Sequence, residues 1–409
     1  MKISAFSALR PVRDKVHLVA TRPYYSYKKN VLKAKLEDNP FTFLHIINPE
    51  FGSEVKTKPN STERFDLVKK QYQLFIDKGI LIQEASPRLY LYRQSKGGHI
   101  SMGIIGGASL DDYQKDTIKK HEATLTSREA MFTDYLEQVG YNAEPVLIAY
   151  ADQNNIDQLI AQYSLQRPEY EFTTTDRITH ELWVLSPENT SELQTAFESV
   201  PVAYIADGHH RSASSARLFK NRQDAEQAVK NAGNFLAYFV PESNLSILEF
   251  NRLVKDLKGY SATTFLHALS ALGELKELKA AEKPKQEHEI TLFIDQKWYS
   301  LTFLNYLIDE NHPVNGLDSS LLTELILSPL LGITDLKTTD RVTFSPGSED
   351  LSLMEELITS NKFAVGFVLY PATFLQIKKV ADHQLNMPPK STYVEPKLRS
   401  GLTIYDINQ

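Results

Sequence analysis

The residues with the most chemistry to offer are Asp207-Gly208-His209-His210-Arg211. A carboxylate, two imidazoles and a guanidinium surround a glycine, between the apolar run Val202 to Ala206 and the alanine- and serine-rich stretch Ser212 to Lys220. That order predicts a strand, a tight turn and a helix. Gly208 lets the backbone approach a ligand closely. The opening turn of the helix carries unpaired N–H groups and the positive end of its dipole, which together favour a bound phosphate. Arg211 adds a fork that matches two phosphate oxygens, and Asp207 is placed to hold a Mg²⁺ ion or orient a hydroxyl. The same pattern also suits a plain capped helix with surface histidines. Neighbours such as His209 and His210 point about 100° apart on a helix and rarely face one ion.

Two further segments carry groups of this kind. In Lys119-Lys120-His121-Glu122-Ala123-Thr124, Glu122 is a candidate general base or metal ligand and His121 a candidate proton carrier or phosphate contact. A solvated helix end is the other reading of that cluster. In Met387-Pro388-Pro389-Lys390-Ser391-Thr392, prolines hold the backbone extended, and Lys390, Ser391 and Thr392, with Lys397 further on, offer cationic and hydroxyl contacts to phosphate. Tyr393, Leu398 and Leu402 mark this tail as packed, so it could equally be a structural strap. Arg10, Arg22, Tyr24 and Arg93 stand in turn settings and are candidates to line a nucleotide or substrate pocket.

Strands and helices must alternate to position these groups. Phe41 to Ile47, bracketed by Asn39-Pro40 and Asn48-Pro49, is expected as a buried strand, and Leu89 to Ile105 as a hairpin turning at Gly97-Gly98. Helices are expected from Ser109 through Lys120 and from Thr126 to Val139, each opened by a hydroxyl with an acid three residues on, the capping-box spacing. The pattern weakens over Leu257 to Gln286, where Gly259, Gly273 and several lysines intervene, and the domain boundary is placed there. Beyond it come a hairpin over Ile290 to Leu304 and helices over Asp318 to Leu331 and Glu349 to Thr359. The expected class is α/β to α+β with mixed sheets. The expected division is 1–260, carrying the phosphate site, and 261–409, an α/β subdomain whose tail, 387–402, returns to that site.

At 409 residues, two or three units are expected. The complete lack of cysteine excludes disulfides, Cys-ligated zinc, iron–sulfur clusters and a thiol nucleophile. A formal net charge of −6 counts against a nucleic-acid partner. No apolar run approaches the ~20 residues of a membrane span, and no targeting segment is visible, so a soluble, cytoplasmic protein is expected.

Taken in order, Tyr92-Arg93-Gln94, His121-Glu122-Ala123-Thr124, Asp207-Gly208-His209-His210-Arg211 and Met387-Pro388-Pro389-Lys390-Ser391-Thr392 resemble the conserved prokaryotic domain-of-unknown-function family numbered 1015. The resemblance runs from Leu9-Arg10-Pro11 to Gly401-Leu402. That family is similar to free-serine kinases of the ParB/sulfiredoxin type, in which a Gly-x-x-Arg turn holds nucleotide phosphates. Gly208-His209-His210-Arg211 matches that form. The resemblance implies a ParB/sulfiredoxin-like nucleotide-binding core, with ATP or ADP as phosphate donor or acceptor and Mg²⁺ as cofactor. It implies phosphoryl transfer to or from the hydroxyl of free serine, within serine metabolism. Glu122 would then be the base, helped by His121, His209 and His210. The reverse reaction on O-phosphoserine, a phosphatase without nucleotide, and a nucleotide-operated switch without turnover remain open, as does a homodimer. Sulfiredoxin chemistry is excluded because no cysteine is present to carry it. One departure stands out: family members often carry Pro-Pro-Tyr-Asp near the N-terminus, and this chain has Arg22-Pro23-Tyr24-Tyr25.

Overall fold

A computed structural model describes residues 1–54, 56–227 and 230–409. The chain forms two compact units. One comprises Met1–Lys120, Thr124–Leu245 and Pro396–Gln409; the other comprises His121–Ala123 and Ser246–Glu395. The main division therefore falls at residue 245, ahead of the boundary expected near 260.

The first unit is built on a nine-stranded mixed sheet. Its strands run in the order Ile118–Lys119, Ala203–Asp207, Val146–Tyr150, Asn234–Pro241, His99–Ser109, Tyr90–Lys96, Thr179–Val184 and Tyr170–Thr173, and Ile3–Ser4 pairs off this path with His99–Ser109. Asn234–Pro241 is parallel to Val146–Tyr150, and Ala203–Asp207 to Ile118–Lys119; the other pairings are antiparallel. Val146–Tyr150 is apolar throughout and buried throughout, as a central strand must be. Alternate residues Val146, Ile148 and Tyr150 join Phe235, Ala237 and Phe239 in one core with Ile156, Ile160, Leu193 and Phe197 of two helices. The mixed α/β class is as the sequence implied.

The second unit has a six-stranded antiparallel sheet ordered Gly273–Leu278, Lys297–Phe303, Glu289–Ile294, Val365–Leu369, Phe250–Val254 and Val342–Pro346. The stretch 257–286, expected to be irregular, holds a helix and a strand. Ser261 caps the helix Ala262–Ser270 by accepting from Thr264 N at 3.2 Å, and Gly273–Leu278 is an edge strand. The charges that broke the apolar pattern there belong to that edge, with Lys276 paired to Glu274 at 2.9 Å and Lys297 to Glu277 at 3.0 Å.

Other local expectations are corrected. Phe41 to Ile47 is no strand: it ends in a helical turn, Leu44–Ile47, and short apolar runs do not distinguish the two by periodicity. Ser109 caps its helix through Asp112 N at 3.3 Å, but the helix stops at Gln114. Asp116 then turns through a left-handed φ of 57°, and the chain enters the sheet at Ile118–Lys119. Thr126 is not a cap. Leu125 occupies that place, and Glu129 accepts instead from Thr124 Oγ1 at 3.2 Å. After Asp318–Leu321 the expected helix continues as a π-helix, Leu322–Leu327.

Within the first unit, the C-terminal residues form a strap. Ser400 bridges Thr21, Ile404 bridges Leu9, and Tyr405–Asp406 pairs with Tyr141–Asn142. Arg399 anchors it in the sheet, bonding Asp176 Oδ2 at 2.8 Å, Thr174 Oγ1 at 3.0 Å and His180 Nε2 at 3.2 Å. The other ring nitrogen of His180 meets the Tyr92 hydroxyl at 2.7 Å. Burial, reinforced by the Arg399 charge, pushes the His180 pKa down to about 3. In the unfolded chain it returns to about 6.5. Between those values the unfolded state binds the extra proton, so stability falls as pH drops, by at most ~1.4 kcal/mol per pH unit, and the group is silent above that window. Urea unfolding at pH 7, 5.5 and 4.5 checks this against His180→Phe, which is expected to flatten the slope. Parallel slopes in the two proteins would contradict it.

Candidate functional site

Ala203–Asp207 is held between Ile118–Lys119 and Val146–Tyr150, and its register shifts between Ile205 and Asp207, which ends the ladder at the carboxylate. Gly208 follows with φ 104°, and the helix His209–Asp224 begins, Gly208 O accepting from Arg211 N at 2.9 Å and Ser212 N at 3.1 Å. This is the predicted strand, turn and helix. The reason for the glycine is more specific than expected. A Cβ there would stand 2.9 Å from Arg211 Nη2, because the guanidinium folds back over the turn.

Arg211 is thus not directed at open solvent. Its Nη1 pairs with Glu144 Oε1, and its Nη2 meets Pro145 O at 3.2 Å and Asp207 Oδ2 at 3.3 Å. Its Nε is buried without an acceptor. Lys397 Nζ lies 3.4 Å from Asp207 Oδ1, and the Tyr25 hydroxyl approaches Glu144 Oε1 at 3.5 Å. Two carboxylates and two cations therefore converge on one turn. Burial works against the Asp207 charge, yet Lys397, then Arg211 and His209, hold its carboxyl below the usual range. Burial also opposes the Arg211 charge, and Glu144 and Asp207 outweigh it, raising its pKa. Both groups are ionised at neutral pH. His209 is buried and His210 half-buried in the first turn of the helix.

The guanidinium keeps its Nε–H without an acceptor and has both Nη groups on carboxylates, so a phosphate at this turn would compete with Glu144 for the fork. That exchange would release the Glu144 carboxylate at the site. Among the described residues no group of three or more His, Cys, Asp or Glu could hold a metal ion, and both Asp207 oxygens face cations. The donor set does not fit a protein-built Mg²⁺ site of the kind implied for Asp207, so no step below passes through a metal.

The other sequence candidates are divided between the two units. His121 and Glu122 belong to the second unit, as do Lys390, Ser391 and Thr392. There the two motifs meet, since Met387 N donates to His121 O at 2.8 Å. Ser391 Oγ bonds Pro388 O at 2.7 Å and Ser319 Oγ at 2.9 Å. In the first unit Arg10 is held by Glu84 at 2.5 Å and by Tyr170 at 2.6 Å. Arg93 forks onto Glu181, Arg22 lies 4.7 Å over the Tyr27 ring, and Tyr24 is exposed. Sequence reasoning named Lys397 as a phosphate contact and Tyr25 only within Arg22-Pro23-Tyr24-Tyr25, and it did not list Glu144. Glu144 sits alone in a loop and gives no local signal. Tyr25 is the residue by which the chain departs from Pro-Pro-Tyr-Asp, and that departure was the available clue.

The family described as Protein of unknown function (DUF1015) matches residues 3–320. The chain belongs to that family. No curated protein matches it significantly. Among solved structures, it is similar to SbnI with a C-terminal truncation from Staphylococcus aureus, at 12% identity and a TM-score of 0.38 over 74% of this chain and 87% of that one. It is also similar to a free serine kinase variant in complex with AMP, at 13% identity and a TM-score of 0.37 over 73% of this chain and 90% of that one. A conserved hypothetical protein from Pyrococcus furiosus matches at 14% identity and a TM-score of 0.35, over 73% and 93%. With TM-scores below 0.5, these likenesses carry no functional argument for this chain. Among the described residues no helix is long and apolar enough to cross a membrane.

Proposed function

We propose that this chain is a small-molecule phosphotransferase acting on free serine or O-phosphoserine, with ATP or ADP as donor or acceptor. The observation that carries it is the Gly208 turn, where Arg211 and Lys397 converge with an ionised Asp207 at the start of a helix. Phosphoryl transfer needs positioned charge more than covalent chemistry. In this scheme the first-turn amides and Arg211 bind nucleotide phosphate, Lys397 neutralises it, and Asp207 keeps both cations in place. In the forward direction a general base takes the serine hydroxyl proton as that oxygen bonds phosphorus and the donor's terminal P–O bond breaks, and Glu122 is the candidate the sequence offers for that role. The reverse reaction uses the same groups.

A second reading, a nucleotide-operated switch without turnover, is favoured by one feature: Glu144 and Asp207 are both already tied to Arg211. Incubating the purified protein with labelled serine and ATP or ADP, and separately with O-phosphoserine, separates the readings. Saturable nucleotide binding without product in either assay selects the switch. Phosphoserine hydrolysis indifferent to nucleotide selects a phosphatase. If turnover is found, Glu122→Gln is expected to lower kcat about 10²-fold or more with little change in KM. Glu144→Gln is expected to act mainly on nucleotide affinity and to tighten it, because it frees one arm of the Arg211 fork. Equal losses of kcat and affinity in Glu122→Gln would remove it from the role of base.

A further inference from the structure

Arg252 lies in the middle of the strand Phe250–Val254 and is completely buried. Arginines in such places pair with carboxylates; this one, among the described residues, does not. Its Nη1 donates to Phe250 O and its Nη2 to Lys390 O at 3.0 Å, and its Nε has no acceptor. The guanidinium lies 5.4 Å from the centre of the Phe344 ring. Carbonyls and a ring face supply partial charge only. A buried cation without a counter-ion is among the costlier arrangements a fold can keep, and burial alone depresses the Arg252 pKa to about 9.

What surrounds it is also rich in donors. The Lys390 ammonium, on an exposed residue, lies 5.1 Å from the centre of the Phe250 ring, two residues from Arg252 on the same strand face. Lys390 itself holds a left-handed φ of 58°, which turns its carbonyl onto the guanidinium. Ser391 and Ser319 share a hydrogen bond at 2.9 Å, and the adjacent Ser320 Oγ is buried without a partner. The acids nearest in sequence are engaged elsewhere: Asp318 accepts from His288 N at 2.8 Å, and Glu249 pairs with Lys283 at 2.8 Å. A cation site would need those acids facing inward. A guanidinium and an ammonium brought together by one segment complement an oxyanion instead.

We propose that Arg252 and Lys390, with Ser391 next to Lys390 in the chain, form an anion-binding site in the second unit for the carboxylate or phosphate of a small molecule. The proposal does not rest on the proposed activity. The anion takes the free Nε–H of Arg252 and the Lys390 ammonium, supplying the counter-charge that the fold omits.

The test uses the full chain carrying Arg211→Ala, so that phosphate binding at the Gly208 turn does not contribute. Inorganic phosphate, serine and O-phosphoethanolamine are titrated calorimetrically. Saturable binding with one equivalent is expected, at least tenfold weaker with Lys390→Ala added and absent with Arg252→Met added. Serine alone binding would identify a carboxylate site. Phosphate and O-phosphoethanolamine binding without serine would identify a phosphate site. Without ligand, Arg252→Met is expected to melt no lower than its parent, because an apolar side chain of similar length replaces an uncompensated buried charge. Should it fail to fold, Lys390→Ala decides alone, its side chain being exposed. No saturable binding of any probe, or affinities unchanged in Lys390→Ala, overturns the proposal, whatever becomes of the phosphotransferase reading.

Discussion

Arg211→Ala is expected to weaken nucleotide and phosphate binding roughly 30- to 150-fold, equivalent to ~2–3 kcal/mol for a charge-assisted fork. The substitution removes the only guanidinium that reaches the Gly208 turn among the described residues, and it leaves Glu144 and Asp207 facing the same ground without it. Arg211→Lys is expected to recover part of the loss, since it restores the charge and not the fork. Calorimetric titration with ATP, ADP and inorganic phosphate measures both variants. If affinity is unchanged in Arg211→Ala, the Glu144–Arg211–Asp207 group is a brace for the strand–helix junction. The turn would then be a structural cap, and the proposed function would lose its central observation.

The largest effect on stability is expected from Arg399→Ala, about 3 kcal/mol, within the range for removing one partner of a buried ion pair. Arg399 is nearly fully buried and binds Asp176, Thr174 and His180 together. Without it Asp176 keeps its charge with no cation beside it, and His180 Nε2 loses its nearest partner. The strap that Arg399 anchors also carries Lys397 to Asp207. A loss of phosphate affinity is therefore expected to accompany the loss of stability. Urea unfolding at pH 7 gives the first quantity and titration at low urea the second. An unchanged midpoint would show that the strap is held by its backbone pairings alone, such as Thr21 with Ser400 and Leu9 with Ile404.

Parts of this architecture could be read from local pattern. The hairpin Tyr90–Lys96 to His99–Ser109 was signalled by Gly97-Gly98, both with positive φ in the structure. Thr373 and Gln376, three residues apart, form a full capping box at the start of the helix Phe374–Asp382. Failures came where long-range pairing overrode a local signal. Ser109 caps a helix as its spacing suggests, but pairing with Ala203–Tyr204 draws the chain into the sheet at Ile118, so the helix ends early. Of the lysines that broke the pattern over 257–286, Lys276 lies on a sheet edge, and Lys283 and Lys285 pair with Glu249 and Glu282. Arg252 was unremarkable in sequence, flanked by Asn251 and Leu253, and only its burial without a carboxylate sets it apart.

What the sequence determined unaided is the turn itself: an apolar strand, a glycine at a position requiring positive φ, and a helix opening on an arginine, each a property of neighbouring residues. The tertiary structure alone decided which charges gather there. Glu144 stands 67 residues from Arg211 and Lys397 stands 190 from Asp207. Whether they meet depends on strand register and on where the strap runs, and neither is encoded in any short segment. The same holds for the direction Arg211 takes. Its local position suits a phosphate, and the distant carboxylate of Glu144 turns it back onto the protein.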